Sequence, residues 1–274
     1  ELKKFLSTCP KKDNKFTHVF PGIGSYFIEP DKLNKFYDFC YKEFFKKGKT
    51  YMCAEKVADV CPLVIDLDFK YKDKYNTRQY TKDTIDEIIQ LIFKVAETLF
   101  NLEPNQYDVW IFEKENIRDC DKSGYESKDG IHMSFPKIKA HKTLYKLLVD
   151  KILEDKDLFN DILLKTCENN PDNKIEDIVD SSIYQTNWLV YGSRKTGEDS
   201  RYELTRIITV NSQKQISDFD IDIYLQNPIT IIKNNSVYQT NVNTDYTEIS
   251  QQYLNTINLN TNSNISLMDL DMEE

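Results

Sequence analysis

Long apolar runs are missing from this 274-residue sequence. A membrane-spanning helix needs about 18 or more consecutive apolar residues, so the sequence predicts no transmembrane helix. The N-terminus also lacks the basic and apolar segments of a secretory signal peptide. Hydrophobic residues at 40% and charged residues at 30% are ordinary for a globular protein, and the length allows one large domain or two small ones.

Paired cysteine motifs are missing as well. The six cysteines are scattered, without a CxxC motif or a Cys/His pair at zinc-ligand spacing; they are Cys9, Cys40, Cys53, Cys61, Cys120 and Cys167. In a chain without a secretory signal, such cysteines are expected to be reduced, buried thiols. Nothing in their local spacing favours a zinc site.

The formal net charge is -9, but the two signs are unevenly placed along the chain. Residues 1–50 carry 11 Lys against 6 Asp or Glu, whereas residues after Asn211 carry nine Asp or Glu against two Lys. The lysine-rich residues 1–50 could bind along the phosphate backbone of a nucleic acid, although a solvated lysine-rich surface would have the same composition. Because the chain starts at Glu1 and ends in acidic residues 268–274, we expect a fragment of a longer protein.

Hydrophobic periodicity predicts helices and strands in irregular alternation. Apolar stripes at helical spacing predict three helices, at Asp31–Phe45, Thr84–Leu102 and Thr143–Leu158. Short β-rich runs predict five strands, at Cys61–Phe69, Asp108–Glu113, Gly130–Pro136, Ile178–Tyr184 and Trp188–Ser193. Strands mixed with helices without regular βαβ spacing favour an α+β domain with a largely antiparallel sheet.

The composition changes near Asn234, where Asn, Thr and Ser become dominant and apolar residues become isolated. This pattern predicts a poorly ordered linker over residues 234–274, with one short helix near Ser250–Thr256. Residues 1–233 would then form the folded domain, and the linker would lead to a further domain.

The segment Cys61–Phe69 carries the strongest chemical signal. Side chains of a strand alternate between its two faces, so Leu63, Ile65, Leu67 and Phe69 would form one apolar row. Asp66 and Asp68 would then lie side by side on the opposite face. Two carboxylates at such a short distance repel each other unless a cation binds between them. Paired carboxylates of this kind are typical of a divalent metal site. Two exposed aspartates in a strand-end turn are the alternative.

Two later segments add polar groups that could contact a nucleotide. In Lys128–Pro136, His132 and Ser134 would share the polar face of a strand, where the histidine could contact a phosphate or sugar; a purely structural histidine is the alternative. In Ile178–Lys195, Asp180 lies among apolar and small residues, a costly place for a charge that is neither paired nor bound to a metal. Gly192–Lys195 then brings a hydroxyl and two cations together, as in a triphosphate site or a basic surface turn.

The three segments in this order resemble the catalytic signature of the archaeo-eukaryotic primase superfamily. The resemblance rests on PLVIDLDF, GIHMSFP and VDSSIYQTNWLVYGSRK, with AEK before the first motif, and runs over about residues 17–209. The primase domains of poxvirus-type and giant-virus-type primase–helicases are the most similar. Carried over to this chain, the resemblance makes Asp66, Asp68 and Asp180 the catalytic, metal-binding carboxylates.

The resemblance also implies a nucleotide site. His132 would contact the phosphates of the incoming nucleotide, helped by Ser193, Arg194 and Lys195. Relatives often carry an arginine just before the tyrosine of the third motif, where this chain has Trp188-Leu-Val190, so Lys128 or Arg194 would replace that contact. In the histidine motif, Gly130 stands where a serine is common, and no hydroxyl helps from that position.

The fold implied by the resemblance is an RNA-recognition-motif-like antiparallel sheet with a second α/β unit, and the site lies between them. The implied enzyme is a DNA primase that uses two Mg²⁺ or Mn²⁺ ions to join NTPs or dNTPs on a single-stranded DNA template. A helicase domain would follow in the same chain. The protein would act inside the infected cell, in the cytoplasmic viral factory, without a membrane.

Two other enzyme classes use similar motifs. A DxD motif after an apolar strand also occurs in metal-dependent glycosyltransferases, but these need an earlier nucleotide-binding βα unit, and residues 1–60 show none. Asp68-Phe-Lys70 could be the D-x-K motif of a metal-dependent nuclease. That reading would leave His132 and the YGSRK segment without a role.

Overall fold

The computed structural model describes residues 1–195, 197, 200–238 and 246–255. Its helices are α1 (Leu2–Leu6), α2 (Leu33–Tyr41), α3 (Lys82–Leu99), α4 (Lys142–Glu154), α5 (Lys156–Thr166), α6 (Ile175–Ile178), α7 (Asp222–Leu225) and α8 (Pro228–Asn234). Its strands are β1 (His18–Phe20), β2 (Gly24–Tyr26), β3 (Ala54–Lys56), β4 (Val60–Tyr71), β5 (Phe100–Asn101), β6 (Asp108–Lys114), β7 (Arg118–Asp119), β8 (Ser127–His141), β9 (Asn187–Leu189), β10 (Tyr202–Val210), β11 (Ile216–Asp218) and β12 (Glu248–Ile249).

The largest sheet, called the main sheet here, has the strand order β11-β10-β6-β8-β4, and β7 pairs with β8 beside this path. Every pairing in it is antiparallel. A small sheet has the order β2-β1-β3-β9 and is also antiparallel. The structure therefore confirms the predicted α+β class with antiparallel sheets.

Strand β4 shows why the main sheet has two different faces. Leu63, Ile65, Leu67 and Phe69 are all at most 2% exposed, and they pack in one large core with α3, α4 and α5. This is the core face of the main sheet. Helix α3 begins at a capping box, in which Thr81 and Thr84 each accept a hydrogen bond from the other's backbone N–H. Its apolar stripe buries against the core face, as the helical period predicted.

A second hydrophobic cluster covers part of the opposite face, called the open face here. Trp110 and Phe112 of β6 and Ile207 of β10 pack there against side chains of α2 and β1 such as Phe36 and Phe20. The small sheet and its helices thus form a second unit over one part of the open face. The part that carries Asp66 and Asp68 lies beside this unit, so the main sheet and the second unit together form the walls of the site.

The predicted helix at Asp31–Phe45 is confirmed as α2 with a 3₁₀ turn before it and a π turn after it, and that at Thr84–Leu102 is confirmed as α3. The predicted helix at Thr143–Leu158 is two helices. Asp155 separates α4 from α5, and its side chain accepts a hydrogen bond from the backbone N–H of Leu158 and so begins α5. The sequence prediction missed this N-cap and the rest of α5.

The strand predicted at Ile178–Tyr184 is wrong. Helix α6 ends at Ile178, Val179 makes a single β-bridge with Leu67, and turns follow. The reason is local: Oδ1 of Asp180 accepts hydrogen bonds from both the backbone N–H and the hydroxyl of Ser182, which stabilises a turn in place of a strand. The strand predicted at Trp188–Ser193 is shorter than expected and ends at Leu189.

Part of the predicted linker packs against the folded domain, which corrects the prediction that residues 234–274 are poorly ordered throughout. Ser236 and Val237 are at most 2% exposed, and β12 pairs with β5. Thr247 and Ser250 are buried and hydrogen-bonded to the main chain of Lys139 and Thr98, respectively. Hydrogen bonds of polar residues therefore dock this segment, and a count of apolar residues does not reveal them.

The rest of the predicted linker, residues 239–245 and 256–274, lies outside the described residues, and a helical turn over residues 251–255 agrees with the predicted short helix. The boundary at residue 233 stays a prediction. All six cysteines are free thiols; four are buried, whereas Cys120 and Cys167 are half-buried. Within the described ranges, no helix has the length and apolar character needed to cross a membrane.

Candidate active site

The first and second motifs lie on neighbouring strands of the main sheet. Strands β4 and β8 pair so that Asp66 is directly opposite His132, and Asp68 is directly opposite Gly130. Directly opposite residues of an antiparallel pair point to the same face of the sheet. The two aspartates and the histidine therefore share the open face, as the alternation in the sequence predicted.

Asp66 and His132 form the centre of the site. Oδ1 of Asp66 is 3.4 Å from Nε2 of His132, and their side chains are 19% and 7% exposed. This is ion-pair distance, yet no hydrogen bond of good geometry reaches the buried Oδ1 atom. Burial would raise the pKa of Asp66, but the charges of His132 and Lys195, with a smaller contribution from Lys70, outweigh burial and lower this pKa. Asp66 is therefore a half-buried carboxylate whose buried Oδ1 atom is an acceptor that a cation could use.

Asp68 differs from Asp66 in its surroundings. Its side chain is 47% exposed, and its Oδ2 is 3.9 Å from Nζ of Lys70. Partial burial and then the neighbouring Asp66 carboxylate raise the pKa of Asp68. The pKa values of the two carboxyl groups are thus shifted in opposite directions, as expected for two like charges at a short distance from each other. A divalent cation between them would remove this repulsion, because it adds a larger opposite charge.

Asp180 approaches the other two aspartates through its main chain. Its backbone N–H donates a hydrogen bond to the carbonyl of Asp66 over 3.0 Å, next to the bridge between Val179 and Leu67. Its Oδ1 is engaged with Ser182, as described above. Among the described residues, no three His, Cys, Asp or Glu side chains are gathered closely enough to hold a metal ion. The fold therefore brings Asp180 beside Asp66, but the three carboxylates are not gathered into one ligand set.

The turn that contains Ser193, Arg194 and Lys195 is attached to the segment before β3. The Ser193 hydroxyl donates to the carbonyl of Cys53 over 2.9 Å, and the backbone N–H of Arg194 donates to the carbonyl of Tyr51 over 3.1 Å. Ser193 is 4% exposed, so its hydroxyl faces the protein and not the cleft. Lys195 is exposed, and its charge lowers the pKa of Asp66. Of the three residues, Lys195 is the one whose positive charge contributes to the lowered pKa of Asp66.

Gly192 explains why this turn begins with glycine. Its φ angle is +87°, and a Cβ atom there would lie 2.4 Å from the ring of Phe45. Lys128, the other candidate for the missing arginine contact, lies on the open face opposite Lys70 but forms a 2.6 Å ion pair with Asp121. Which cation takes over that contact, Lys128 or Arg194, stays a prediction.

Two aromatic residues that the sequence analysis did not select enclose His132. The Tyr202 ring stacks on the imidazole with 3.5 Å between ring centroids, and the Trp188 ring lies 4.3 Å away. A Cβ atom on Gly130 would lie 2.8 Å from the Tyr202 hydroxyl, so glycine is needed for Tyr202 to approach the strand. Burial, and then the charges of Asp66 and Asp68, raise the pKa of Tyr202 well above its usual value. Tyr202 is therefore a neutral ring that lies against the histidine, with its hydroxyl close to Gly130.

A charged network that sequence patterns did not reveal supports β8 beside the site. Arg78 donates to Asp129 over 2.9 Å and to Glu113 over 2.6 Å, and Asp129 accepts the backbone N–H of Gly130 over 2.8 Å. Burial raises the pKa of Asp129, and Arg78 opposes this shift. Because both carboxylates are buried, removal of Arg78 would leave two uncompensated charges. The network holds the backbone of Gly130, the residue opposite Asp68.

Comparison with known proteins shows the family of this chain. A family model for the C962R protein N-terminal AEP domain matches residues 16–208, more than half of the chain. The fold is that of an archaeo-eukaryotic primase-like domain. The chain belongs to the family of C962R N-terminal AEP domains, which confirms the resemblance found in the sequence.

Two viral proteins are similar over a large part of the chain. It is 27% identical over 202 residues to "Putative helicase L207/L206" of Acanthamoeba polyphaga mimivirus, covering 72% of this chain. It is 26% identical over 239 residues to "Putative helicase 184R" of Invertebrate iridescent virus 6, covering 78% of this chain. The matched regions are 20% and 24% of those proteins, so the chain spans about a fifth to a quarter of their length.

Proposed function

We propose that this chain is the DNA primase domain of a viral replicative primase–helicase. The observation that carries the proposal is the arrangement of Asp66, Asp68 and His132 on one open face, with Asp180 hydrogen-bonded to the main chain of Asp66. The family match supports the primase class, and the helicase names of two much longer relatives support a helicase domain in the same protein. The proposed site of action is the cytoplasmic viral factory of an infected cell.

The donor set fits Mg²⁺ or Mn²⁺, since both prefer oxygen ligands and Asp66 keeps a buried oxygen without a hydrogen bond. Asp66 and Asp68 would hold the metal, and Asp180 would complete the ligand set after its side chain turns away from Ser182. When bound, two such ions would supply activation of a 3′-hydroxyl and neutralisation of the charge that develops on the phosphates.

The remaining residues would bind and orient the NTP or dNTP. Lys195, with Arg194 or Lys128, would attract the triphosphate, because charge-assisted contacts to phosphate are stronger than neutral ones. His132 would contact the phosphates of the nucleotide through a ring nitrogen. It would do so close to the metal, since it already faces Asp66, a proposed metal ligand. Ser193 would act mainly by fixing the turn to Cys53. A single-stranded DNA template would provide the sequence to be copied.

The direct test is primer synthesis without a primer. The protein is incubated with single-stranded DNA, labelled NTPs or dNTPs, and Mg²⁺ or Mn²⁺, and labelled oligonucleotides are expected. Asp66→Asn and Asp68→Asn should abolish synthesis without unfolding the protein, because each change keeps the size of the side chain. Asp161→Asn, an exposed acid on α5, is the matched control and should be fully active. Normal synthesis by either active-site variant, with unchanged circular dichroism, would refute the assignment of these carboxylates.

One contact favours a second candidate, a metal-dependent nuclease. Nζ of Lys70 is 3.9 Å from Oδ2 of Asp68, so the acid and the lysine of the D-x-K motif are neighbours. The same proteins are therefore incubated with labelled single-stranded DNA and metal but without nucleotides. Cleavage that is lost in Lys70→Ala would favour the nuclease, whereas intact DNA together with primer synthesis would remove this candidate.

A further inference from the structure

The three residues after helix α8 lie behind the candidate active site. Asn235, Ser236 and Val237 are all at most 6% exposed, although the change of composition near Asn234 predicted a linker there. We call these three residues the back segment. Two of them are hydrogen-bonded to strand β3, and the third borders a cavity beside the catalytic histidine motif. None of them belongs to the motifs that carry the proposed chemistry.

Glu55 of β3 accepts the hydrogen bonds of the back segment. Its Oε2 accepts the hydroxyl of Ser236 over 2.8 Å and the backbone N–H of Val237 over 3.0 Å. Its Oε1 accepts the hydroxyl of Tyr37 over 3.0 Å and lies 3.2 Å from Nε2 of His18. Because the carboxylate is fully buried, these contacts replace its hydration. Glu55 thereby joins β3 to β1, to α2 and to the back segment.

Strand β3 and the residues before it hold the third sequence motif in place. Glu55 is directly opposite Trp188 of β9, and the ring of Trp188 lies 4.3 Å from His132. Two residues before Glu55, the carbonyl of Cys53 accepts a hydrogen bond from the turn that bears Lys195. A displacement of β3 would therefore move both the ring that packs on the histidine and the turn that bears the lysine.

Asn235 approaches the histidine from the protein side. It lines a cavity of about 10 Å³ together with His132, Ser193 and Tyr202. Its Oδ1 atom is buried and has no hydrogen-bond partner among the residues that the structure describes. A cavity of about this size holds one water molecule, and a buried water needs roughly two to four polar partners. Oδ1 of Asn235, the Ser193 hydroxyl and a ring nitrogen of His132 are suitable partners.

A hydrogen bond from this side would fix the imidazole of His132. Nε2 of His132 faces Asp66 at 3.4 Å, which leaves Nδ1 for a contact on the other side of the ring. The hydrogen bond at one ring nitrogen sets the tautomer and the orientation of the ring, and so determines what the other nitrogen can bind.

We propose that the back segment is a positioning element of the active site. Ser236 and Val237 hold the third motif through Glu55, and Asn235 holds the ring of His132 through one buried water molecule. The water and the position of the ring do not depend on the proposed function. The consequence for nucleotide affinity rests on it.

A crystal structure of the unchanged chain at high resolution tests the water. Electron density for one water molecule is expected within hydrogen-bond distance of Oδ1 of Asn235 and of a ring nitrogen of His132. A cavity without such density would overturn the role of Asn235.

NMR spectra test the position of His132. The chain has three histidines, so His132→Ala identifies the ring signals, which two packed aromatic rings make sensitive to small displacements. Glu55→Gln places an amide N–H₂ group opposite two donors, and Asn235→Leu removes the buried oxygen. Each variant should move the His132 signals and leave those of the exposed His141 unchanged. Unmoved His132 signals in either variant would overturn the role of that contact.

Primer synthesis tests the consequence for the nucleotide. Asn235→Leu should raise KM for the nucleotide about two- to twelvefold, the equivalent of one hydrogen bond, and change kcat less. Asn235→Ser keeps a hydroxyl for the water and should lie closer to the unchanged protein. The matched control is Asn234→Leu, since Asn234 is half-buried at the same end of α8 but lines a different cavity. An equal rise of KM in this control would overturn the role of Asn235.

Glu55→Gln should also raise KM, and Ser236→Ala, which removes one of the contacts of Glu55, is the milder variant if Glu55→Gln lowers the folded fraction. Glu97→Gln on α3 is the control, because Glu97 also accepts a tyrosine hydroxyl, from Tyr107 over 2.9 Å. Normal KM in the variants of an active protein would refute the back segment and leave the proposed function standing. Absence of synthesis by the unchanged protein would refute the proposed function, and the water and the His132 signals would still decide on the back segment.

Discussion

Nε2 of His132 and Oδ1 of Asp66 lie 3.4 Å apart across two neighbouring antiparallel strands. This relationship joins two motifs that are 66 positions apart in the chain, and it makes the histidine a neighbour of the proposed metal ligand as well as of the nucleotide. The two proposed roles, nucleotide binding and metal binding, meet at this pair. They can be separated by kinetics.

Replacement of the phosphate contacts should affect nucleotide affinity more than the maximal rate. His132→Ala and Lys195→Ala are each expected to raise KM for the nucleotide about ten- to a hundredfold, since a charge-assisted hydrogen bond contributes roughly 1.5–3 kcal/mol. Asp180→Asn should lower kcat and resist rescue by nucleotide, because it alters the ligand set of the metal. Nucleotide titrations of the three variants measure both constants. Rescue of Asp180→Asn by nucleotide, with no rescue of His132→Ala, would show that the roles are reversed.

The stacking of Tyr202 on His132 should hold the imidazole in its orientation toward Asp66. Tyr202→Leu removes the ring and is expected to raise KM, with a loss of about 0.5–1.5 kcal/mol of stability from the aromatic pair. Tyr202→Phe keeps the ring and should behave like the unchanged protein. The chain has three histidines, so the His132 ring signal can be assigned by NMR with His132→Ala. That signal should move downfield in Tyr202→Leu; an unmoved signal would disprove the positioning role.

Residues 246–255 pack against the folded domain and should contribute to its stability. A poorly ordered linker would make no such contribution. Truncation after residue 245 removes the hydrogen bonds of Thr247 and Ser250 and the packing of Ile249 and Tyr253. At about 1 kcal/mol for each, the loss is about 3–4 kcal/mol, or a decrease in Tm of roughly 6–16 °C. Truncation after residue 255 keeps these contacts and is the control. Equal melting temperatures for the two truncations would restore the linker interpretation.

Asp218 should make stability depend on acid pH. Partial burial raises its pKa, but Arg206 at 2.8 Å and Lys82 at 2.6 Å outweigh burial and lower it below the usual 3.8. A carboxyl with a lowered folded pKa stabilises the fold above its unfolded pKa, and this contribution is lost as pH falls through the folded pKa. The unfolding free energy of Asp218→Asn should therefore be lower than that of the unchanged protein at pH 5–7, and the difference should shrink below pH 3.8.

Urea unfolding at several pH values measures this difference, with Asp150→Asn on the exposed surface of α4 as the control. A difference for Asp218→Asn that stays constant into strong acid would contradict the ion-pair explanation.

Periodicity in the sequence predicted the elements that depend on a long, regular pattern. Helix α3 was predicted because apolar residues repeat at helical spacing along most of its eighteen residues. Strand β4 was predicted with its faces correctly assigned, because alternation alone separates Leu67 from Asp66 and Asp68. The prediction failed at residues 178–184, where a single hydrogen-bonded turn at Asp180 is stronger than strand propensity.

Sequence alone therefore determined the family, the class of fold, and which side of β4 carries the carboxylates, because each follows from residues close together along the chain. Tertiary structure alone decided which residues surround them. Tyr202 stacks on His132 from a strand 70 positions later, and Thr247 docks on Lys139 from a segment with few apolar residues. Such contacts depend on strand order and on single hydrogen bonds between distant residues, and no local periodicity encodes either.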